Sequence, residues 1–155
     1  MKKVPSLLLL AAMLLTLLAG CGQSASLQFE PAALAEELAG TDAFSDLLSP
    51  IDAKIAASLY GVDASTIASC SVYCSTGATA EEIAVFKCTD ENAAKALSDA
   101  AQRRLDSQAA AYAAYAPQAV PAIENAIVRQ QGAYTVCVVA NDNAAAEAVL
   151  DHYIK

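Results

Sequence analysis

Ile67-Ala68-Ser69-Cys70-Ser71-Val72-Tyr73-Cys74-Ser75 and, after a short turn, Glu82-Ile83-Ala84-Val85-Phe86-Lys87-Cys88 decide the fold of this chain. Successive residues of a strand point to opposite faces, so residues two apart share one. Ala68, Cys70, Val72 and Cys74 therefore line one side of the first run, and Ser69, Ser71, Tyr73 and Ser75 the other. That alternation predicts a half-buried strand. In the second run Ile83 and Val85 alternate with Ala84 and Phe86, the pattern of a strand covered on both faces. Thr76-Gly77-Ala78-Thr79 supplies the turn of a hairpin, and Thr79 to Glu82 matches a capping box, which predicts one helical turn there.

Working outward, Thr89 or Asp90 caps a long helix from about Glu91 to Ala114. Its apolar stripe is Leu97, Ala101, Leu105, Ala109 and Tyr112, with Lys95, Asp99, Gln102, Arg103 and Asp106 opposite. Pro117 and Pro121 are expected to end it and shape a loop. Ile123 to Gln130 and Tyr134 to Ala140 then form a second hairpin, with Gly132 at a turn position that favours positive φ. Asn141-Asp142-Asn143 caps a closing helix to about Ile154. Upstream, Pro31 to Ala39 reads as a helix stopped by Gly40. Asp52 to Tyr60 reads as another, stopped by Gly61, with Ile51, Ile55 and Leu59 as its apolar face.

The expected fold class is α+β: an antiparallel sheet of about four strands from two β-hairpins, each followed by a helix, with amino-terminal helices. The second strand of each hairpin is apolar on both sides, so the second sheet face needs a cover. The amino-terminal helices are the expected one, a protein partner or apolar ligand the alternative. Asp90-Glu91-Asn92-Ala93-Ala94 and Asn141-Asp142-Asn143-Ala144-Ala145 follow the two hairpins in parallel fashion. Either an internal duplication or the shared need for a helix cap accounts for that echo.

The amino terminus reads as an address. Lys2 and Lys3 precede an apolar run from Leu7 to Ala19, broken only by Thr16, and Leu18-Ala19-Gly20-Cys21 ends it. A spanning helix needs about 20 apolar residues, so this run fits a cleaved signal instead. Small residues before a cysteine are the layout of a bacterial lipoprotein signal, in which Cys21 carries a diacylglycerol and becomes the new amino terminus. The expected organisation is a signal peptide over 1–20, lipidated Cys21 and a short tether over 21–28, and one domain over 29–155. A seven-residue tether reaches at most about 25 Å, which keeps the domain near the membrane.

Removing residues 1–20 takes the formal charge from -8 to -10. The basic residues that remain are scattered, apart from Arg103-Arg104. An acidic domain of this kind is repelled by nucleic acid, which excludes nucleic acid as a partner. Tryptophan is absent, which removes one common platform for stacking sugars.

Four further cysteines follow Cys21. Cys70 and Cys74 would sit about 13 Å apart along one strand, too far to bond. Cys70 and Cys88 would form a disulfide if the hairpin register set them opposite one another; free thiols packing as small hydrophobes are the other reading. No metal site is expected, because Cys70 and Cys74 lie along a strand and lack a second pair. His152 is the only histidine and falls at a helix end. No nucleophile elbow, phosphate loop or zincin motif occurs, so no catalytic residue and no cofactor is expected. Glu81-Glu82 and Glu36-Glu37 are adjacent carboxylates read as capping and solubilising groups. Tyr112 and Tyr115, at i and i+3 on the long helix, form the candidate interaction patch, with packing of the helix end as the alternative.

Gly77 to Lys87, Tyr115-Ala116-Pro117 and Ile123-Glu124-Asn125-Ala126, in the order lipobox, acidic helix, hairpin, long helix, Tyr-x-Pro loop, second hairpin and closing helix, carry a resemblance. From about Phe29 onward the chain resembles the small lipoproteins of Gram-positive bacteria that carry the domain of unknown function numbered 4358. The resemblance implies anchoring on the outer side of the cytoplasmic membrane and transfers no catalytic or ligand residue. The expected function is a lipid-anchored, non-enzymatic module that binds a protein partner or small ligand, with an exposed apolar or aromatic patch near Tyr112, Tyr115 or the second sheet face. The alternatives are a small extracytoplasmic hydrolase acting on envelope material, with carboxylates such as Glu124 and Asp142 converging in a cleft, or an accessory subunit of a membrane complex.

Overall fold

A computed structural model describes residues 27–155. The expected signal peptide over 1–20, Cys21 and the expected tether as far as residue 26 lie outside the described residues. The elements in chain order are α1 (Pro31–Ala39), β1 (Ser49–Ile51), α2 (Ala53–Tyr60), β2 (Ile67–Cys74), β3 (Glu82–Cys88), α3 (Glu91–Tyr115), α4 (Val120–Glu124), β4 (Ile127–Gln131), β5 (Tyr134–Val139) and α5 (Asn143–Tyr153). The strands form one antiparallel sheet of five in the order β1-β2-β3-β5-β4.

The fold is α+β, as the two alternating runs predict, with one strand more than expected. β1 is a three-residue edge strand paired to β2 through Ser49, Pro50 and Ile51. A proline is tolerated there because an edge strand can leave one side without ladder partners. β3 and β5 lie at the centre, and their odd and even positions enter two different cores. Ile83, Val85, Val136 and Val138 pack against Leu34, Ala35 and Leu38 of α1 and Ala146, Val149 and Leu150 of α5. Ala84, Phe86, Cys137 and Val139 pack against Ala56 and Tyr60 of α2, Leu97, Ala101 and Leu105 of α3, and Ile123 of α4. The amino-terminal helices are thus divided between the faces: α1 joins α5 on one, and α2 joins α3 and α4 on the other.

Local chemistry explains the boundaries. Asp52, Asp90 and Asp142 each cap a helix by accepting from its first free N–H groups. Gly61 ends α2 with φ 64°, and Gly132 turns the β4–β5 hairpin with φ 55°, both in the left-handed region that a side chain disfavours. α3 and α5 go to opposite faces of the sheet. A rotation that exchanged the two antiparallel hairpins would keep their helices on one face, so the Asp/Asn echo is a shared capping requirement and not a rotational repeat.

Four expectations are corrected. Pro117 opens a single 3-10 turn and Pro121 sits in the first turn of α4, so residues 120–124 are helical and β4 begins only at Ile127. Proline fits a helix start because no N–H is needed there. Thr79–Glu82 forms no helical turn; the chain passes from a loop straight into β3. On α2 the buried residues are Ala56, Ala57 and Tyr60, while Ile55 and Leu59 are 53% and 44% exposed. The small alanines let the helix approach the sheet closely and swing Tyr60 inward, which turns the larger side chains out. The hairpin register sets Cys70 opposite Phe86, and a shift at Ala68 sets Ile67 opposite Cys88. Cys70 and Cys88 therefore do not face each other, and both are free thiols, as are Cys74 and Cys137. The bulge also turns Ala68 outward and gives its place on the buried face to Ile67.

Candidate functional site

Glu82 opens β3, a strand otherwise built of apolar residues, and is only 3% exposed. Its carboxylate accepts from Tyr60 Oη of α2 at 2.5 Å, from Arg104 Nη2 of α3 at 2.5 Å, and from the Cys74 thiol of β2 at 3.8 Å. The Arg104 guanidinium also stacks over the Tyr60 ring, 5.3 Å from its centroid. Three elements that cover or flank one sheet face thus meet on one carboxylate. A buried ion pair persists only when further hydrogen bonds offset its desolvation, and Tyr60 and Cys74 supply them.

The neighbours respond to this setting. Burial, with Cys137 and Glu82 adding, pushes the Tyr60 phenol well above its ordinary value. Burial and the Glu82 charge push the Cys74 thiol up to about 12, and Cys137 rises to about 12 for the same reasons. Burial lowers Arg104, but Glu82 and Tyr60 outweigh it and leave the guanidinium firmly charged. The thiols are therefore poor nucleophiles at neutral pH.

Glu81 turns the other way and is also buried, at 4% exposure. Its carboxylate accepts from Ser45 N and Oγ, Asp46 N and Thr79 Oγ1, tying the α1–β1 loop to the β2–β3 loop. Expecting both carboxylates to be solubilising groups was wrong, while the divergence of their directions is as the strand alternation requires. Glu36 and Glu37 are exposed on α1. The sequence reasoning missed Glu82, Arg104 and Tyr60 as a unit. The only signal was a carboxylate placed at the start of a strand that is apolar on both faces.

This end of the sheet carries a run of cavities. One of about 170 Å³ is lined by Leu59, Cys74, Thr79, Glu82, Arg104 and Tyr112 among others. Thr79, Ala80 and Glu81 are shared with a second, of about 180 Å³, that reaches Gln118 and Asn141. Gln118, Ala122 and Asn141 are shared in turn with a third, of about 370 Å³, bordered by Asn125, Ala140 and Asn143. The three adjoin through shared wall residues and mark this end of the sheet, the groove region, along the β2–β3 loop, the α3–α4 junction and the start of α5.

Tyr112 and Tyr115 have separate fates. Tyr112 is half-buried, lines the first cavity and donates its hydroxyl to Thr79 O at 3.2 Å. Tyr115 is 67% exposed with its ring 4.9 Å from that of Tyr112. Leu59, 44% exposed, lines the same cavity as Tyr112, whereas Tyr115 does not line it. His152 is exposed in the last turn of α5. Asp142 spends its carboxylate on capping α5, and Glu124 lines a separate cavity of about 180 Å³ with Asp106. Cys21 lies outside the described residues. Among the described residues no group of three or more His, Cys, Asp or Glu side chains could hold a metal ion, and no helix is long and apolar enough to cross a membrane.

Residues 43–140 match the model of a family described as Domain of unknown function (DUF4358). That span runs from the loop after α1 through the end of β5, so it takes in the whole sheet and Glu82, Arg104 and Tyr60. No match was found among curated proteins or among solved structures.

Proposed function

The chain belongs to the DUF4358 family, and from that premise we propose that it is a lipid-anchored, extracytoplasmic binding module whose ligand or partner occupies the groove at the Glu82 end of the sheet. The observation that carries this reading is the separation between the groove and the point where the chain enters the domain. Phe29 stacks on Tyr134 with ring centroids 4.2 Å apart, and its backbone N–H donates to the Tyr134 hydroxyl. Tyr134 pairs with Lys87 at the far end of β3 from Glu82. Entry point and groove are therefore about 17 Å apart along the strand. A domain held by a short tether from Cys21 turns its entry end to the outer face of the cytoplasmic membrane and its groove away from it. Lipidation of Cys21 rests on the Leu18-Ala19-Gly20-Cys21 pattern after its apolar run. Two or more acyl chains give stable attachment where one does not.

The hydrolase alternative has less support. Asp142 caps α5 and Glu124 lines a different cavity, where it and Asp106 are both exposed, while Glu81 and Glu82, which share the first cavity, are already held by Ser45, Asp46 and Thr79 and by Tyr60 and Arg104 respectively. General-acid chemistry near neutral pH favours a carboxyl that burial keeps protonated. An accessory subunit of a membrane complex is the same binding reading with a membrane-borne partner.

Fractionation tests the anchor. The full chain is expected in the membrane fraction and to incorporate labelled palmitate, whereas Cys21→Ser is expected to be unlabelled and released. A wild-type chain that takes no label and stays soluble would overturn the proposal.

A further inference from the structure

The α1–β1 loop is held at its two ends by backbone and in its middle by one buried side chain. At the start, Ala43 O accepts from Asn141 N and Asp142 N, where β5 passes into α5. At the end, Ser49, Pro50 and Ile51 pair with β2. Between these points, among the described residues, Phe44 to Leu48 make no backbone-to-backbone hydrogen bond. Ser45 N and Asp46 N donate instead to the Glu81 carboxylate, at 2.9 and 2.8 Å, and Ser45 Oγ adds a third bond from the same segment. Two successive backbone N–H groups converging on one anion form a nest, and its occupant here is a side chain from the β2–β3 loop. Asp46 Oδ2 accepts from Ser75 Oγ. The apolar hold is slight: Phe44 and Leu48 rest half-buried at the margin of the α1 core, and Leu47 is 81% exposed. Ser45 stands with Thr79 and Glu81 on the wall of the cavity of about 180 Å³ that Ala119 and Gln118 line on the α3–α4 side.

From this arrangement we infer that residues 44–48 are a flap over that cavity, hinged at Ala43 and Ser49 and latched by Glu81. A segment with few buried apolar contacts and no ladder bonds opens at lower cost than the strands beside it. Its polar hold is concentrated on one carboxylate, and charge-assisted bonds are the strong ones. Removing that charge therefore weakens three bonds of the flap together. The sheet does not share the loss, because the Glu81 side chain bonds only Ser45, Asp46 and Thr79, none of which lies in a strand. Opening withdraws Ser45 from the cavity wall and widens the way to Ala119. The flap is a property of the fold and needs neither the lipid anchor nor a ligand, so it stands or falls apart from the reading tested by fractionation.

The test compares the full chain in nanodiscs with its Glu81→Gln variant, which keeps the size of the side chain and loses the charge. Thermolysin cuts before leucine, and cleavage of a transiently open segment follows its open population. Cleavage at Leu47 or Leu48 is expected to be roughly tenfold faster in Glu81→Gln, the least that loss of a charged hydrogen bond implies. Hydrogen exchange in β3 and β5, read by mass spectrometry, is expected to be unchanged. Ser45→Ala removes one donor at an exposed position and is expected to speed the same cut roughly threefold; it carries the test if Glu81→Gln does not fold. Access to the cavity is read by maleimide labelling of Ala119→Cys, expected to be several times faster when Glu81→Gln is added. Unchanged cleavage at Leu47 and Leu48 would overturn the flap. Faster exchange throughout β3 and β5 would overturn it too, by making Glu81 a support of the whole sheet. Faster cleavage with unchanged labelling of Ala119→Cys would overturn its role as a gate.

Discussion

The two faces of the sheet are cut from the same central strands, yet they are built to different rules. Under α1 and α5 the core is Leu34, Leu38, Ile83, Val85, Val136, Val138 and Leu150, closed at the entry end by Tyr134 against Phe29. Under α2, α3 and α4 the same strands present Phe86, Val139, Thr135, Cys88, Cys137 and the buried Glu82 carboxylate, which meets an arginine and a phenol from the covering helices and a cysteine from β2. A dry face can be stabilised by area alone, at about 25 cal/mol per Å² of apolar surface removed from water. A face with an ion pair inside it gives up some of that gain. Buried polar networks are kept where position matters more than stability, and this one stands at the groove.

The comparison can be broken first at Arg104. Arg104→Met leaves Glu82 buried without its counter-charge and is expected to cost about 3–5 kcal/mol of unfolding free energy, measured by urea denaturation. Adding Glu82→Gln should recover more than half of that loss. A single-variant cost below about 1 kcal/mol, the range of surface pairs, would mean the pair contributes no more than an exposed one.

Leu38→Ala on the dry face is expected to cost about 3 kcal/mol, the usual range for a large-to-small core change, while leaving groove binding unchanged. If it weakened binding as much as Arg104→Met, the division of labour between the faces would be wrong. Thr135→Val removes the buried hydroxyl that donates to Ala94 O at 2.7 Å. A loss of about 1 kcal/mol is expected for that bond, and a neutral result would mean that the tie between β5 and α3 is dispensable.

Alkaline pH should separate the faces most gently. Cys74 and Cys137 hold their protons to about 12 in the folded chain, against an ordinary thiol value of 9.0. The unfolded chain releases those protons first. Their contribution is therefore complete below pH 9 and is lost as pH rises from 9 toward 12. Melting temperature should fall over that window, and Cys137→Ala should flatten the fall. An unchanged slope would remove this thiol from the account.

How much of this was legible in one dimension follows from how local each signal is. α1 matches its expected span of Pro31 to Ala39, and β3 its span of Glu82 to Cys88, because a proline start, a glycine stop and an uninterrupted apolar run are written in adjacent residues. β1 was missed because three residues including a proline carry no periodicity. Register is a relation between strands, so neither the pairing of Cys70 with Phe86, which parts Cys70 from Cys88, nor the bulge at Ala68 is written in either run alone. The outward turn of Ile55 and Leu59 depended on how closely α2 approaches the sheet. Tyr60, Glu82 and Arg104 are each 22 residues from the next, with Glu82 between, so only the fold brings them together. The groove itself is a property of three junctions meeting and has no motif.

The central claim, that this end of the sheet and not the entry end receives a partner, is tested most directly by site-specific photo-crosslinking of the full chain in native membranes from Gln118 in the groove and from Gln131 at the β4–β5 turn. An adduct from Gln118, with none from Gln131, is the predicted result. Adducts from Gln131 alone, or equally from both positions, would contradict it.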